Sequence, residues 1–138
     1  MKKNRSQARD IMLSTLSILG LIVVSVSYTH LDVYKRQGQT TLTRKICIYD
    51  GMTSSYHYHE HRDEIWTVLR GTGELILEGT KIPLSQGKAV CIRKNQRHAV
   101  KAFHDFEYIE IHVGTSSGNE DINRITFHWD EIELSHIL

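Results

Sequence analysis

Gly51-Met-Thr-Ser-Ser-Tyr-His57-Tyr-His59-Glu-His-Arg-Asp-Glu64-Ile-Trp-Thr-Val-Leu-Arg-Gly71 places two histidines two residues apart, a glutamate five residues further on and a glycine at each end. On a β-strand, residues two apart project from the same face, so His57 and His59 point the same way. A short turn then brings Glu64 back at the start of the next strand, and three groups with the chemistry of metal ligands converge. His61 would extend the row of His59 if the strand ran on. The turn toward Glu64 has to begin there, so His61 reads as a supporting or exposed residue.

The surrounding sequence fits a β-rich frame for that stretch. Short β-type runs separated by turn residues predict strands near Thr43–Tyr49, Ile65–Arg70, Glu74–Leu77, Ala89–Arg93, Ala99–Phe103 and Tyr108–Val113. No long amphipathic helix competes with them. Alternation is clearest in Tyr108–Val113, where Ile109, Ile111 and Val113 share a face that reads as core and Tyr108, Glu110 and His112 share the polar one. Glycines at 51, 71, 73, 79, 87 and 114 punctuate the runs as in a sandwich or jelly roll. Pro83 is the only proline, and it is expected between strands, where no ladder donor is lost.

Composition bounds the function. A chain of 138 residues can bury one modest core, and 17 basic against 16 acidic side chains leave no basic face of the strength that phosphate-backbone binding needs, so nucleic acid is excluded as a partner. Nine histidines are many for this length, and His57, His59, His61, His98 and His104 fall in one stretch, a bias toward metal chemistry. His104, His128 and His136 have no partner at ligand spacing and read as solvated. Cys47 and Cys91, each flanked by apolar residues, read as reduced core residues.

The N-terminus has a different character. Lys2, Lys3, Arg5 and Arg9 precede an almost uncharged run from Ile11 to Ser27, the pattern of a signal peptide or short membrane anchor. Val26 to Gln37 (VSYTHLDVYKRQ) resembles the translation of two back-to-back transposase-recognition ends, and codons exist that make nearly the whole run an inverted repeat. The expected organisation is therefore an apolar leader of foreign origin over residues 1–25, an artefactual junction over 26–37 and one β-domain over 38–138. On that reading the β-domain is cytoplasmic, and a membrane is a partner only if the leader is genuine.

Gly51–Gly71 fits the first motif of the cupin superfamily, G(X)5HXH(X)4E(X)6G, at every fixed position. His98 follows Gly87 as in the second motif, G(X)5PXG(X)2H(X)3N, with Arg93, Asn95 and Ala102 replacing the family's proline, glycine and asparagine. Asn95 suits the glycine position because asparagine reaches left-handed backbone conformations more readily than most residues. The resemblance implies an all-β cupin double-stranded β-helix, small and truncated at its N-terminus. It also implies a divalent metal held by His57, His59, Glu64 and His98: zinc first, with Fe, Mn, Co or Ni compatible with the same donors.

Within the cupins, Tyr58–Trp66 resembles the HHHRxEHW-type signature of type II mannose-6-phosphate isomerases, which also form the C-terminal domain of mannose-1-phosphate guanylyltransferases. Tyr108–Gly114 resembles that family's LIEVQxG strand, and Gly118–Arg124 its GEDDIxR segment. His57 stands where the family commonly has glutamine, and the N-terminal RPWG-type strand is absent. The resemblance implies isomerisation of mannose 6-phosphate to fructose 6-phosphate, with a small phosphorylated sugar as ligand and a homodimer as a common assembly. Arg124 is the best-matched phosphate donor, with Arg62 and Lys101 behind it. Glu110 and His112 are weak candidates for a general base and read more simply as satisfied barrel-interior groups. Two other classes fit the same donors, a non-catalytic metal- or sugar-binding cupin and an Fe(II) dioxygenase.

Overall fold

The computed structural model describes residues 24–27, 34–36 and 38–134. Most of the apolar leader and His136 lie outside the described residues. In chain order the strands are β1 (Val24–Ser27), β2 (Tyr34–Arg36), β3 (Gln39–Ile48), β4 (Tyr56–Tyr58), β5 (Arg62–Arg70), β6 (Thr72–Leu77), β7 (Thr80–Ser85), β8 (Ala89–Ile92), β9 (His98–Ala102), β10 (Phe106–Gly114) and β11 (Asn123–Thr126). A single 3-10 turn at Asn119–Asp121 and a short helix α1 (Trp129–Leu134) complete the described chain. No helix among these residues is long and apolar enough to cross a membrane.

All pairings are antiparallel. One sheet runs β1-β3-β10-β5-β8 with β2 also on β3, and the other runs β11-β4-β9-β6-β7. This is the jelly-roll arrangement expected from the sequence. Cross-strand partners share a face, so the register divides the interior of the first sheet into rungs. Ile48 pairs with Phe106, Ile46 with Tyr108, and Tyr108 with Val68. The next rung is Arg44–Glu110–Trp66–Val90, and the next Leu42–His112–Glu64–Ile92. The barrel is thus apolar at one end and polar toward the other. Its core gathers Ile46, Ile48, Val68, Leu75, Val100, Ala102, Phe106 and Tyr108.

The rungs bear out the barrel-interior reading of Glu110 and His112 and overturn the reading of the isoleucine face of β10 as core. Tyr108, Glu110 and His112 point inward and are buried, while Ile109, Ile111 and Val113 are half-buried on the outer face. Hydrophobicity misleads here because the inward face serves a polar site. The cysteines are free as expected but are not core: Cys91 is exposed and Cys47 only half-buried. Both lie on outward-facing positions, Cys91 opposite Ile65 and Cys47 opposite Glu107. Pro83 lies within β7, paired with Glu74. It is tolerated there because β7 is the edge of its sheet.

The segment set aside as a junction contributes strands. β1 and β2 both lie on the edge of β3 that β10 does not occupy, with Val24 opposite Ile48 and Tyr34 opposite Thr41. An open edge pairs through main-chain groups with any extended segment, whatever its side chains, so the two strands say nothing about where the segment came from.

Gly71 closes the hairpin between β5 and β6 with φ at +84°, and a Cβ there would stand 2.1 Å from the Asp105 carbonyl oxygen. Gly71→Ala is expected to cost at least about 2 kcal/mol, read as a lowered urea midpoint at unchanged slope.

Candidate metal centre

The imidazoles meet where the two sheets face each other at the polar end. His57 on β4 is the direct ladder partner of His98, the first residue of β9. His59 follows one residue after β4. The ring centroids are 4.4 Å apart for His57 and His98, 4.9 Å for His57 and His59, and 5.2 Å for His59 and His98. One ring nitrogen from each lies within 4.8 Å of the other two.

Each ring is oriented in the same manner. Nδ1 of His57 bonds the Ser55 carbonyl at 2.8 Å, Nδ1 of His59 the Asp121 carbonyl at 2.8 Å, and Nδ1 of His98 the Gln96 carbonyl at 2.9 Å. A carbonyl only accepts, so all three Nδ1 atoms carry the proton and all three Nε2 atoms are left as lone pairs. That is the tautomer of metal-binding histidines, whose far nitrogen donates to a carbonyl that fixes the ring. Nε2 of His98 is buried with no hydrogen-bond partner among the described residues.

Glu64 closes on this cluster from the other sheet. Its Oε1 lies 2.9 Å from His59 Nε2 and its Oε2 3.7 Å from His98 Nε2. With Nδ1 of His59 already donating, Nε2 and Oε1 at that separation are two acceptors facing each other. The Arg62 guanidinium lies against both, Nε 3.0 Å from Oε1 and Nη2 3.4 Å from Nε2, and the lone pairs of all three imidazoles still converge on one point. The donor set of three imidazoles and a carboxylate therefore fits a divalent metal, with His57, His59, His98 and Glu64 the residues that could hold it.

Glu64 is itself gripped from its own strand. Arg62 Nε donates to Oε1 at 3.0 Å and Trp66 Nε1 to Oε2 at 3.0 Å. Arg62, Glu64 and Trp66 are spaced by two along β5 and share its inner face, so the strand period alone makes the clamp. Behind it, His112 Nε2 bridges Glu110 Oε2 at 2.9 Å and Glu64 Oε1 at 3.3 Å, and Arg44 pairs with Glu110. Glu64, Glu110 and His112 form a second, wholly buried cluster of ligand-type groups that shares Glu64 with the first.

The expected phosphate donors part company. Arg124 on β11 is the ladder partner of His57, so His98, His57 and Arg124 form one row across three strands of a single face. It is exposed, with its guanidinium 5.9 Å from the Phe127 ring. Arg62 is 1% exposed and spends its donors on Glu64 and the Gly118 carbonyl. Lys101 lies three residues from His98 on β9 and therefore faces outward, 5.6 Å from the Trp129 ring. His61 is exposed, with Nδ1 2.9 Å from Asp121 Oδ1. Sequence reasoning missed the structural part played by Asp121, whose only signal was its place in the Gly118–Arg124 segment.

An antiparallel double-stranded β-helix with histidines and a glutamate converging at one end defines the cupin class. Residues 46–113 match the family described as "Cupin domain", and the chain belongs to the cupin superfamily. The mannose-1-phosphate guanylyltransferase of Escherichia coli is 27% identical over 106 residues, 70% of this chain and 22% of that protein. The chain thus spans less than a quarter of the length of that relative. Among solved structures, KdgF from Halomonas sp. is similar in fold, with a TM-score of 0.54 at 23% identity over 64% of this chain and 89% of that one. A putative sugar phosphate isomerase from Acidithiobacillus ferrooxidans has a TM-score of 0.50 at 25% identity, covering 53% and 49%.

The site makes stability pH-dependent. Burial, reinforced by the neighbouring His98 and His59, lowers the pKa of His57 from 6.5 to about 3. Burial works to raise that of Glu64, but the charged and polar groups packed against it, the His59 and His98 rings first among them, hold it well below the usual range. For His57 the unfolded chain takes up a proton that the folded chain refuses between pH 6.5 and about 3. Its contribution is full above that window and falls as pH drops through it, by about 1.4 kcal/mol per pH unit. Urea unfolding of the metal-stripped protein is expected to show this decline setting in near pH 6.5, and His57→Gln should remove that onset.

Proposed function

We propose that this domain is a metal-dependent sugar-phosphate isomerase, converting mannose 6-phosphate to fructose 6-phosphate in the synthesis of activated mannose and polysaccharide. The observation that carries the reading is the row His98–His57–Arg124, which sets a phosphate-competent guanidinium on the same face as the imidazole cluster. The likeness to a mannose-1-phosphate guanylyltransferase and to a putative sugar phosphate isomerase agrees with it.

A divalent cation held by His57, His59, Glu64 and His98 supplies Lewis-acid polarisation of a sugar carbonyl. The remaining work falls to the chain. Arg124, at the rim and braced against Phe127, binds the phosphate and orients the sugar with its reacting end toward the imidazoles. Glu64, locked by Arg62 and Trp66, keeps its carboxylate fixed through the reaction. Glu110 and His112, sealed behind Glu64, hold that carboxylate and do not carry the proton that moves between adjacent carbons.

The test is a coupled assay for fructose 6-phosphate with the chain stripped of metal and reloaded in turn with Zn, Co, Mn and Fe(II). Turnover that His98→Ala abolishes is expected. A folded, metal-loaded chain that binds sugar phosphate without turnover is a binding module, and Fe(II)-dependent oxygen uptake makes it a dioxygenase. Arg124→Ala is expected to weaken mannose 6-phosphate binding by about 10- to 100-fold, from the loss of a charged hydrogen-bond donor, while leaving metal content unchanged. Calorimetry beside metal analysis reads both.

A further inference from the structure

Two buried charges beside the imidazole cluster, Arg62 and Asp121, hold the candidate ligands from two sides, Arg62 against Glu64 Oε1 and His59 Nε2 and Asp121 against the far nitrogen of His59. Both side chains are 1% exposed, and Arg62 Nη1 stands 3.6 Å from Asp121 Oδ2. From Arg62, Nε donates to Glu64 Oε1 at 3.0 Å and Nη2 lies 3.4 Å from His59 Nε2. From Asp121, the backbone carbonyl accepts His59 Nδ1–H at 2.8 Å. Its carboxylate accepts the backbone N–H groups of Glu60 at 3.0 Å and His61 at 3.2 Å. Arg62 Nη1 also donates to the Gly118 carbonyl at 2.8 Å, tying the same loop to the turn that carries the ligands.

We propose that Arg62 and Asp121 form a positioning brace that presets Glu64 and His59 for a divalent cation and thereby sets the affinity of the site. The inference rests on the cation-site reading above and adds to it the residues that tune it. Arg62 alone would repel a cation, but Asp121 neutralises it, so the pair presents a dipole rather than a net charge. Its main effect is to fix direction: one oxygen of Glu64 and the ring plane of His59. Outer-shell partners of this kind typically change metal affinity by about 10- to 100-fold.

The experiment titrates the full, metal-stripped chain with Co(II), reading affinity by competition with a chromophoric chelator and geometry from the visible absorption of the bound ion. Asp121→Asn keeps the backbone carbonyl and the side-chain shape but leaves Arg62 unneutralised. Arg62→Lys keeps the charge but loses the fork. Each is expected to bind Co(II) about 10- to 100-fold more weakly, with altered absorption bands at saturation. The double variant is expected to be less impaired than the sum of the two, because the residues act as one unit. A merely structural pair would lower the melting temperature and leave the affinity and bands of the folded protein at wild-type values, which overturns the proposal. If Arg62→Lys does not fold, Asp121→Asn decides alone by the same two readings. A wild-type chain that binds no Co(II) removes the cation-site reading itself, whereas a binding wild type with unaffected variants removes only the brace.

Discussion

The Glu64 carboxylate, 1% exposed between two sheets, has given up its water and must be held by donors and charges from the chain itself. An unpaired buried carboxylate costs several kcal/mol, so what surrounds it follows from that demand. Arg62 and Trp66 answer it from the same strand and His112 from the neighbouring strand. Each brings a requirement of its own: Arg62 calls for Asp121, and His112 calls for Glu110, which pairs with Arg44. The polar end of the barrel is this chain of obligations carried until each charge is matched, and the apolar core fills the rungs that remain.

The second sheet is fitted to the first by the loop from Arg93 to Arg97. Asn95 takes φ of +66°, and its N–H donates to the His59 carbonyl at 2.7 Å. The Gln96 carbonyl, one residue on, orients His98. The same turn therefore sets both the height of one ligand strand and the ring of another. Arg93 and Arg97, which flank that loop, are paired with Asp63 and Glu78. Such exposed pairs add little stability, but they leave Arg124 as the exposed guanidinium in the row of His57 and His98.

Much of this was legible in line because it depends on short-range geometry. The two-residue spacing of His57 and His59, the return of Glu64 and the left-handed turn at Asn95 are properties of a strand and its turns. The clamp of Arg62 and Trp66 on Glu64 was not legible, because Arg62 falls in the expected turn and reads as a phosphate donor until its burial is known. β7 and β11 escaped notice because one carries a proline and the other is four residues long. Lys101 and Arg124 are equally basic in the sequence. Only the strand faces separate them, one turned out toward Trp129 and the other standing in the row of His57.

By itself, the sequence determined the all-β class, the strand carrying the paired histidines and the residue types that could hold a metal, since period-two alternation and turn chemistry act over a few residues. The tertiary structure alone decided between the two readings of β10, which arginine is sealed and which is open, and that Asp121 braces His59. Those outcomes depend on the register of strands far apart in the chain and on the matching of buried charge, and neither is written in any local stretch.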